Sequence, residues 1–183
     1  MTTFYLVRHA HAKWTPDENR PVSAQGFEDA KKVANVLQDY PVRAIYSSPE
    51  QRAYQTISPL AQRLGVKIKI EADLRERKLG DEVFEDFFRA VEATWQNPSF
   101  AHPGGESSAE AQKRGIAIVQ RLQARHPNEA VVLSTHGNLM ALILQVFDPS
   151  VDFQFWKSLT MPDIYELDPG NSKLSLRRIW QQE

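Results

Sequence analysis

The chain has 183 residues, enough for a single domain over residues 1–183 that buries a large core without disulfides or metals. Its composition, 42% hydrophobic and 25% charged with a formal net charge of −1, gives no reason to expect a nucleic-acid or membrane partner. The absence of cysteine excludes a disulfide framework, a thiolate nucleophile and cysteine-based zinc sites. The start of the chain lacks a secretory pattern and no apolar run is long enough to span a bilayer, so we expect a cytoplasmic protein.

The first forty residues predict a strand, a polar loop and a helix. Phe4 to Val7 are four consecutive apolar residues, which is typical of a strand covered on both faces. The loop at 11–21 is rich in polar residues and proline and is placed to lie over a site. Ser23 is expected to cap a helix over 24–39, with Phe27 among its inward-facing residues.

The next segment predicts a second buried strand and a strong helix start. The strand covers 44–47, and Ser48 after it is expected to cap a helix whose first turn holds Arg52. Arg52 then lies near the exposed N–H groups of a helix N-terminus, which favour an anion. Residues 66–70 alternate as an edge or half-exposed strand.

The middle of the chain predicts two helices separated by a loop. Residues 80–95 are expected to be helical around Val83, Phe87, Phe88 and Val91. Prolines and a glycine pair predict a loop at 97–105. A long helix is predicted over 107–124, with its inward face formed by Ile116, Val119 and Leu122.

The last third predicts one buried strand, a buried helix and a terminal pair of strands. The buried strand covers 130–134, and the apolar helix starts at Leu139. Strands are predicted at 164–167 and 173–180, joined by a turn at 168–171. Strands that alternate with helices indicate the α/β class: a three-layer α/β/α sandwich with a mainly parallel sheet and an antiparallel strand at its end.

Polar groups of one kind follow three separate strands. Arg8 and His9 follow the first strand, Arg52 follows the second, and His136 follows the strand at 130–134. Ligands in open α/β sheets bind at the carboxyl ends of the strands, so we expect these side chains to converge. Two guanidiniums suit phosphate oxygens, one histidine could attack phosphorus, and the other could donate to the oxygens. A glutamate held near that negative charge would be the natural general acid.

Five motifs of the chain resemble those of the histidine phosphatase superfamily, the phosphoglycerate mutase-like group, and they occur in that family's order. They are residues 6–10 (LVRHA), 47–56 (SSPEQRAYQT), 74–76 (LRE), 104–107 (GGES) and 134–138 (STHGN). The resemblance implies phosphoryl transfer through a phosphohistidine, without a metal ion or other cofactor. It also implies the three-layer fold of that family.

The resemblance implies a role for each matching residue. His9 would be the nucleophile, Glu76 the proton donor, and Arg8, Arg52 and His136 the phosphate pocket, with His136 also counted as catalytic. Further candidate contacts to the substrate are Thr15, Gly26 and Asn138.

The chain departs from the family pattern in three places. Ala10, His11 and Thr15 stand where the family often has glycine, glutamate and a phosphate-contacting asparagine. Residues 80–84 replace a Gly-x-Trp-Glu-Gly run, which leaves Glu82 as an alternative acid. The Arg-His-Ala start and residues 20–26 resemble the small phosphohistidine phosphatase branch, although that branch lacks the acid and the GGES element.

Other candidate groups have simpler interpretations. His102 and His126 lie in loops near prolines, and we expect both to be exposed and inert. Glu106 is expected near a helix N-terminus, with a substrate contact as the second interpretation. The His9-x-His11 pair lacks carboxylate partners at metal-ligand spacing. The aromatic residues that are expected in the core or in a lid are Phe84, Phe87, Phe88 and Trp95.

The resulting hypothesis is a metal-independent phosphatase that hydrolyses phosphomonoesters of small metabolites or phosphoproteins and releases inorganic phosphate. A mutase is the closest competing hypothesis, but mutases of the family are generally longer, with segments that enclose the substrate. Three further hypotheses are a phosphohistidine protein phosphatase, a non-catalytic phospholigand-binding protein and a metal-dependent hydrolase.

Overall fold

The computed structural model describes residues 1–17, 19–170 and 176–181. Within these residues the strands are β1 (Thr3–Arg8), β2 (Val42–Ser47), β3 (Ile68–Ile70), β4 (Ala130–Thr135), β5 (Asp163–Leu167) and β6 (Leu176–Arg178). The helices in the same part of the chain are α1 (Ala24–Leu37), α2 (Gln51–Leu64), α3 (Phe87–Gln96), α4 (Ser108–Arg125), α5 (Gly137–Gln145) and α6 (Phe153–Ser158). A 3₁₀ turn, Ala72–Leu74, follows β3.

The strands form one sheet in the order β3-β2-β4-β1-β5-β6. The pairs β3-β2, β2-β4 and β4-β1 are parallel, whereas β5 and β6 run antiparallel to their neighbours. The predicted mainly parallel sheet with an antiparallel end is therefore confirmed. The central positions of β1 and β4 place the strand ends that carry Arg8, His9 and His136 side by side.

Side chains of the central strands alternate between two hydrophobic cores. Phe4 and Leu6 pack into the core that is shared with α3, α4, α5 and α6. Tyr5 and Val7 pack into the core on the opposite face, which contains residues of α1 and α2. Both faces of the sheet are covered, as the continuous apolar run in β1 predicts, and the three-layer α/β/α class is confirmed.

Two helix starts agree with the sequence and one does not. Ser23 caps α1 by accepting from Gly26 N–H, and Ser107 forms a capping box with Glu110 at the start of α4. The prediction that Ser48 caps α2 is wrong, because the helix begins at Gln51 and Glu50 holds the N-cap position. The hydroxyl of Ser48 is directed instead to the Glu50 carboxylate and to His136.

The helix predicted over 80–95 covers only part of that range. Asp86 caps α3 by accepting from Arg89 N–H, so the helix starts at Phe87 and the residues before it form bends and loop. Val83 is 87% exposed and Phe87 and Phe88 are each about half exposed, so they are not core residues. Phe27 is likewise partly exposed, whereas Gly26 beside it is buried.

Helix α6 has no counterpart in the sequence prediction. The predicted turn at 168–171 and strand at 173–180 lie partly outside the described residues; of 176–180, which are described, β6 covers Leu176–Arg178 and residues 179–180 are not strand. Over residues 1–17, 19–170 and 176–181, no helix has the length and apolar character that crossing a membrane requires.

Two histidines expected to be exposed have buried contacts. His126 is 8% exposed; its Nδ1 donates to Glu129 at 2.6 Å and its Nε2 contacts the Tyr46 hydroxyl at 3.0 Å. His102 is half-buried and donates from Nε2 to the Ala90 carbonyl oxygen at 2.9 Å. Both rings therefore hold elements together, which a proline-flanked loop in the sequence does not indicate.

Candidate active site

His9 and His136 meet where β1 and β4 end. The two strands pair in register up to Arg8 and Thr135, and His9 N–H donates to the Thr135 carbonyl oxygen at 3.0 Å. The two imidazole rings meet edge to face with their centroids 5.1 Å apart. The structure thus brings together two histidines that are separated by most of the chain.

The surroundings of His9 leave one ring nitrogen free to react. Nδ1 lies 2.8 Å from the Ala10 carbonyl oxygen, which can only accept, so Nδ1 carries the proton and Nε2 keeps its lone pair. Burial lowers the pKa of His9 well below its ordinary value, and the positive charges of His136, Arg52 and Arg8 lower it further. His9 is therefore neutral near pH 7, as a nucleophile has to be.

His136 is fully buried at the N-cap position of α5. Its Nε2 lies 2.8 Å from Ser48 Oγ and 3.1 Å from Glu50 Oε2. Its Nδ1 is buried and has no protein partner within the described residues. One nitrogen is thus fixed by the protein and the other is left for a ligand.

Glu50 is a site residue that the sequence does not identify. Burial acts to raise its pKa, but the hydrogen bond and charge of His136, with a further hydrogen bond from Ser48, outweigh burial and lower the pKa to about 2. Glu50 is therefore an ionised carboxylate that contacts the imidazole ring of His136. A glutamate after Ser-Pro in a sequence suggests only a helix start, so its contact with His136 is visible only in the fold.

Arg8 is held by the opposite end of the chain. Its Nη1 donates to the Leu159 carbonyl oxygen at 2.8 Å, and the adjacent Thr160 N–H donates to the buried Asp163 carboxylate at 2.9 Å. Arg178 Nε donates a hydrogen bond to that carboxylate at 2.9 Å. Asp163, which pairs with Arg8 across β1 and β5, is a second residue that sequence patterning does not identify.

Arg52 is buried in the first turn of α2, as predicted. Its carbonyl oxygen accepts from Thr56 Oγ1, and the Thr56 hydroxyl oxygen in turn accepts from Ala10 N–H at 2.8 Å. The helix turn that carries Arg52 is thereby tied to the peptide that follows His9. The positive charge of Arg52 also contributes to the lowered pKa of His9.

The Glu76 carboxylate lies at the N-terminus of α5. Oε2 accepts from Asn138 N–H, and Oε1 accepts from Leu139 N–H, both at 2.9 Å. Because His136 immediately precedes this helix, Glu76 and His136 are positioned by the same turn. The next residue, Arg77, is only 4% exposed. Burial lowers the pKa of its guanidinium, whereas the negative charge of Glu76 acts to raise it. The alternative acid Glu82 is exposed.

The GGES motif supports the segment that carries Glu76. Glu106 forms a two-point salt bridge with Arg114, at 2.6 and 2.8 Å, and Arg114 also donates to the carbonyl oxygens of Asp73 and Arg75. A Cβ at Gly105 would lie 2.2 Å from the Leu79 carbonyl oxygen, so the close approach requires glycine. Glu106 is thus a partner of Arg114, which neither interpretation of the sequence anticipated.

The three further candidates for substrate contact have different surroundings. Asn138 is buried in the first turn of α5 with its Oδ1 unpartnered among the described residues. Thr15 is half-buried and donates to the Asp17 carbonyl oxygen. Gly26 is buried, its N–H donates to Ser23, and a Cβ there would lie 2.3 Å from the His11 carbonyl oxygen. Packing accounts for Gly26, and nothing around it supports a substrate contact.

Among the described residues, the alternatives to this site would be a metal-ligating cluster or a surface groove away from the strand ends. Within the described ranges, no group of three or more histidine, aspartate or glutamate side chains is arranged to hold a metal ion. A groove of about 460 Å³ lies between α2 and β3, lined by residues that include Tyr54 and Lys67. It contains none of the convergent charged groups.

The chain is similar in sequence and fold to several known proteins. The chain is 27% identical over 157 residues to a putative phosphoserine phosphatase of Hydrogenobacter thermophilus, covering 78% of this chain and 77% of the relative. It is 26% identical over 151 residues to a probable phosphoglycerate mutase of Shigella dysenteriae, covering 75% and 70%. A mycobacterial glucosyl-3-phosphoglycerate phosphatase, solved with inorganic phosphate, superposes with a TM-score of 0.77 at 25% identity, covering 96% and 93%.

A family model described as the histidine phosphatase superfamily (branch 1) matches residues 4–180. That range contains all the convergent residues at the strand ends, from Arg8 to His136. The chain therefore belongs to the histidine phosphatase superfamily, branch 1.

Proposed function

We propose that the chain is a phosphomonoesterase that works through a phosphohistidine on His9 Nε2, without a metal ion or another cofactor. The observation that carries the proposal is the state of His9: its Nδ1 proton is held by the Ala10 carbonyl oxygen, and its lowered pKa keeps Nε2 unprotonated. The substrate is a small phosphorylated metabolite or a phosphoprotein in the cytoplasm.

In the first step, His9 Nε2 attacks phosphorus and the bond from phosphorus to the ester oxygen breaks. Arg8, Arg52 and His136 stabilise the charge on the transferring phosphoryl oxygens, since charge-assisted donors act best where negative charge spreads. Glu76 gives its proton to the leaving oxygen. In the second step, water attacks the phosphohistidine, Glu76 accepts a proton from that water, and inorganic phosphate leaves with His9 restored.

Hydrolysis is preferred to mutase chemistry, the second candidate. The similarity to a probable phosphoglycerate mutase makes the mutase the second candidate. Both reactions would share the phosphohistidine step. The similarity to two phosphatases favours hydrolysis. A mutase would pass the phosphoryl group to an added acceptor alcohol rather than to water.

The proposal is tested with p-nitrophenyl phosphate and a panel of phosphorylated metabolites in the presence of EDTA. We expect activity that the chelator leaves unchanged, release of inorganic phosphate, and an acid-labile phosphoenzyme in rapidly quenched samples. His9→Ala should lower turnover to the background rate, because no other described side chain supplies the attacking nitrogen at this position.

Two controls make the result decisive. The His9→Ala protein should keep the wild-type melting temperature and still bind inorganic phosphate, since the cationic pocket remains. Normal hydrolysis by this variant would show that the nucleophile is wrong, and activity lost to EDTA would contradict the metal-free mechanism.

A further inference from the structure

Glu50 holds the N-cap position of α2, yet its carboxylate does not cap that helix. A capping side chain normally accepts an N–H of the first turn. Here Oε2 accepts instead from Ser48 Oγ and from His136 Nε2, the latter at 3.1 Å, and the side chain is only 20% exposed. Withdrawing an ionised carboxylate from water costs free energy unless it is paired. The partner that compensates Glu50 is His136.

This contact decides which nitrogen of His136 carries a proton. An ionised carboxylate can only accept, so the proton must be on Nε2. In a neutral imidazole, Nδ1 would then carry a lone pair, which repels phosphate oxygens. Ser48 does not reverse this arrangement, because its hydroxyl proton points to Glu50. His136 can therefore donate from Nδ1 only as an imidazolium, with protons on both nitrogens.

The surroundings of Nδ1 are those of an anion contact. The atom is buried and has no protein partner over the described part of the chain. Of the charged and titratable groups on neighbouring elements, His9 meets the His136 ring edge to face, and the Arg8 guanidinium lies against Gly137, the residue after His136. Arg52 acts with His136 on the pKa of His9, and Glu76 accepts from the first turn of α5. A phosphate at Nδ1 would give the ring an anion at each nitrogen, and two anions stabilise the doubly protonated form.

We propose that Glu50 is a positioning residue which keeps a proton on His136 Nε2, so that His136 binds the substrate phosphate as an imidazolium that donates from Nδ1. The inference rests on the proposed function for the identity of the anion. It adds a carboxylate that acts through His136 and does not itself touch the substrate.

The test follows inorganic phosphate binding by NMR in protein labelled with ¹⁵N at its five histidines. The His136 signals are assigned as those lost in His136→Gln. In the wild-type complex at pH 7, both His136 nitrogens should be protonated. In Glu50→Gln, which keeps the size of the side chain but removes its charge, one nitrogen should lose its proton. Phosphate affinity should fall about tenfold, because a charge-assisted hydrogen bond is replaced by a neutral one.

Glu28→Gln is the matched control, because Glu28 is exposed on α1 and pairs only with Lys31 in the described structure. It should leave the His136 signals and the phosphate affinity unchanged. A neutral His136 in the wild-type complex, an unchanged doubly protonated His136 in Glu50→Gln, or no phosphate binding by the wild type would each overturn the inference. Because binding is read without turnover, a protein that binds phosphate but hydrolyses no ester would overturn the proposed function alone.

Discussion

The single residue Glu76 has two roles, one structural and one in the proposed reaction. Its carboxylate accepts N–H groups from the first turn of α5, and in the proposed reaction it also gives a proton to the leaving oxygen. The first job fixes the position of the carboxylate beside His136 whether or not a substrate is bound. Only the second job depends on the chemistry of the leaving group, so the two can be separated by experiment.

Glu76→Gln should slow esters of alkyl alcohols far more than p-nitrophenyl phosphate. An alkoxide needs a proton as it leaves, and general acid catalysis contributes about 10²- to 10⁴-fold, whereas p-nitrophenolate leaves readily without one. We expect kcat to fall at least about 100-fold on an alkyl phosphate and much less on p-nitrophenyl phosphate. Steady-state kinetics on the two substrates measure the difference.

Glu82→Gln serves as the comparison for that experiment, since Glu82 is the alternative acid and is exposed. It should behave as the wild type on both substrates. Equal losses on both esters in Glu76→Gln would mean that the residue is only a structural cap. A selective loss in Glu82→Gln would move the acid to that position.

Individual site residues differ in how far the sequence can locate them. Arg8, Arg52 and His136 follow buried strands, and parallel strands bring their carboxyl ends to one edge, so the pattern predicts that they converge. Glu50 and Asp163 act through contacts with residues far away in the chain. Such contacts depend on side-chain rotamers and on packing between elements, which no local pattern encodes.

At the scale of elements, α4 supports the segment that carries Glu76. Arg114 on this helix binds Glu106 and also donates to the Asp73 and Arg75 carbonyl oxygens, which immediately precede Glu76. The link is made by a side chain that is mostly buried, with 11% exposure, so it is less screened than a surface pair. The helix thus fixes the segment that leads into Glu76, the proposed acid.

Arg114→Met should lower kcat about tenfold or more on alkyl phosphates, because displacement of a catalytic group by a fraction of an ångström is costly. The affinity for inorganic phosphate should stay close to that of the wild type, since Arg8 and His136 are held by other elements. Lys113→Met is the control, a loss of charge at an exposed neighbour on the same helix. An unchanged kcat in Arg114→Met would show that the carbonyl contacts do not position Glu76.

Elements are predicted well where packing and local chemistry agree. The periodic apolar residues of α1 and α4 and the serines before them indicate both helices correctly. Residues 80–86 also have helical spacing, but Asp86 offers a cap that starts α3 later, and nothing packs on Val83. The six-residue helix α6 is too short to show a period, and its marks are the Asp152 cap, which accepts from Phe155 N–H, and the buried Trp156.

At the scale of the whole molecule, the free energy of unfolding should depend mainly on side chains in the two hydrophobic cores. Leu133 in β4 is fully buried, and Leu133→Ala should lower the free energy of unfolding by about 2–5 kcal/mol through lost burial and a residual cavity. Val83→Ala, at an exposed position, should change it by less than about 0.5 kcal/mol. Urea unfolding followed by circular dichroism measures both. Similar losses in the two variants would contradict the assignment of the cores.

The layer arrangement and the antiparallel end of the sheet are predictable from the sequence, whereas the register of that end is not. Unbroken apolar runs in β1 and β4 require cover on both faces, and the intervening helices supply it. The register of β5 with β1, which places Asp163 opposite Arg8, is seen only in the fold. That register also determines which loop carbonyls receive the Arg8 guanidinium.

The pairing of β1 has a consequence for synthesis of the chain on the ribosome. Both neighbours of β1, β4 and β5, come from the last third of the sequence. Strand β1, which precedes His9, therefore has neither neighbouring strand to pair with until more than two thirds of these 183 residues have been synthesised. The carbonyls that orient Arg8 come later still, and Arg178 closes over Asp163 last. A nascent chain without these segments therefore lacks the contacts that orient Arg8, and a ligand of the proposed phosphate pocket can stabilise only a chain in which they are present.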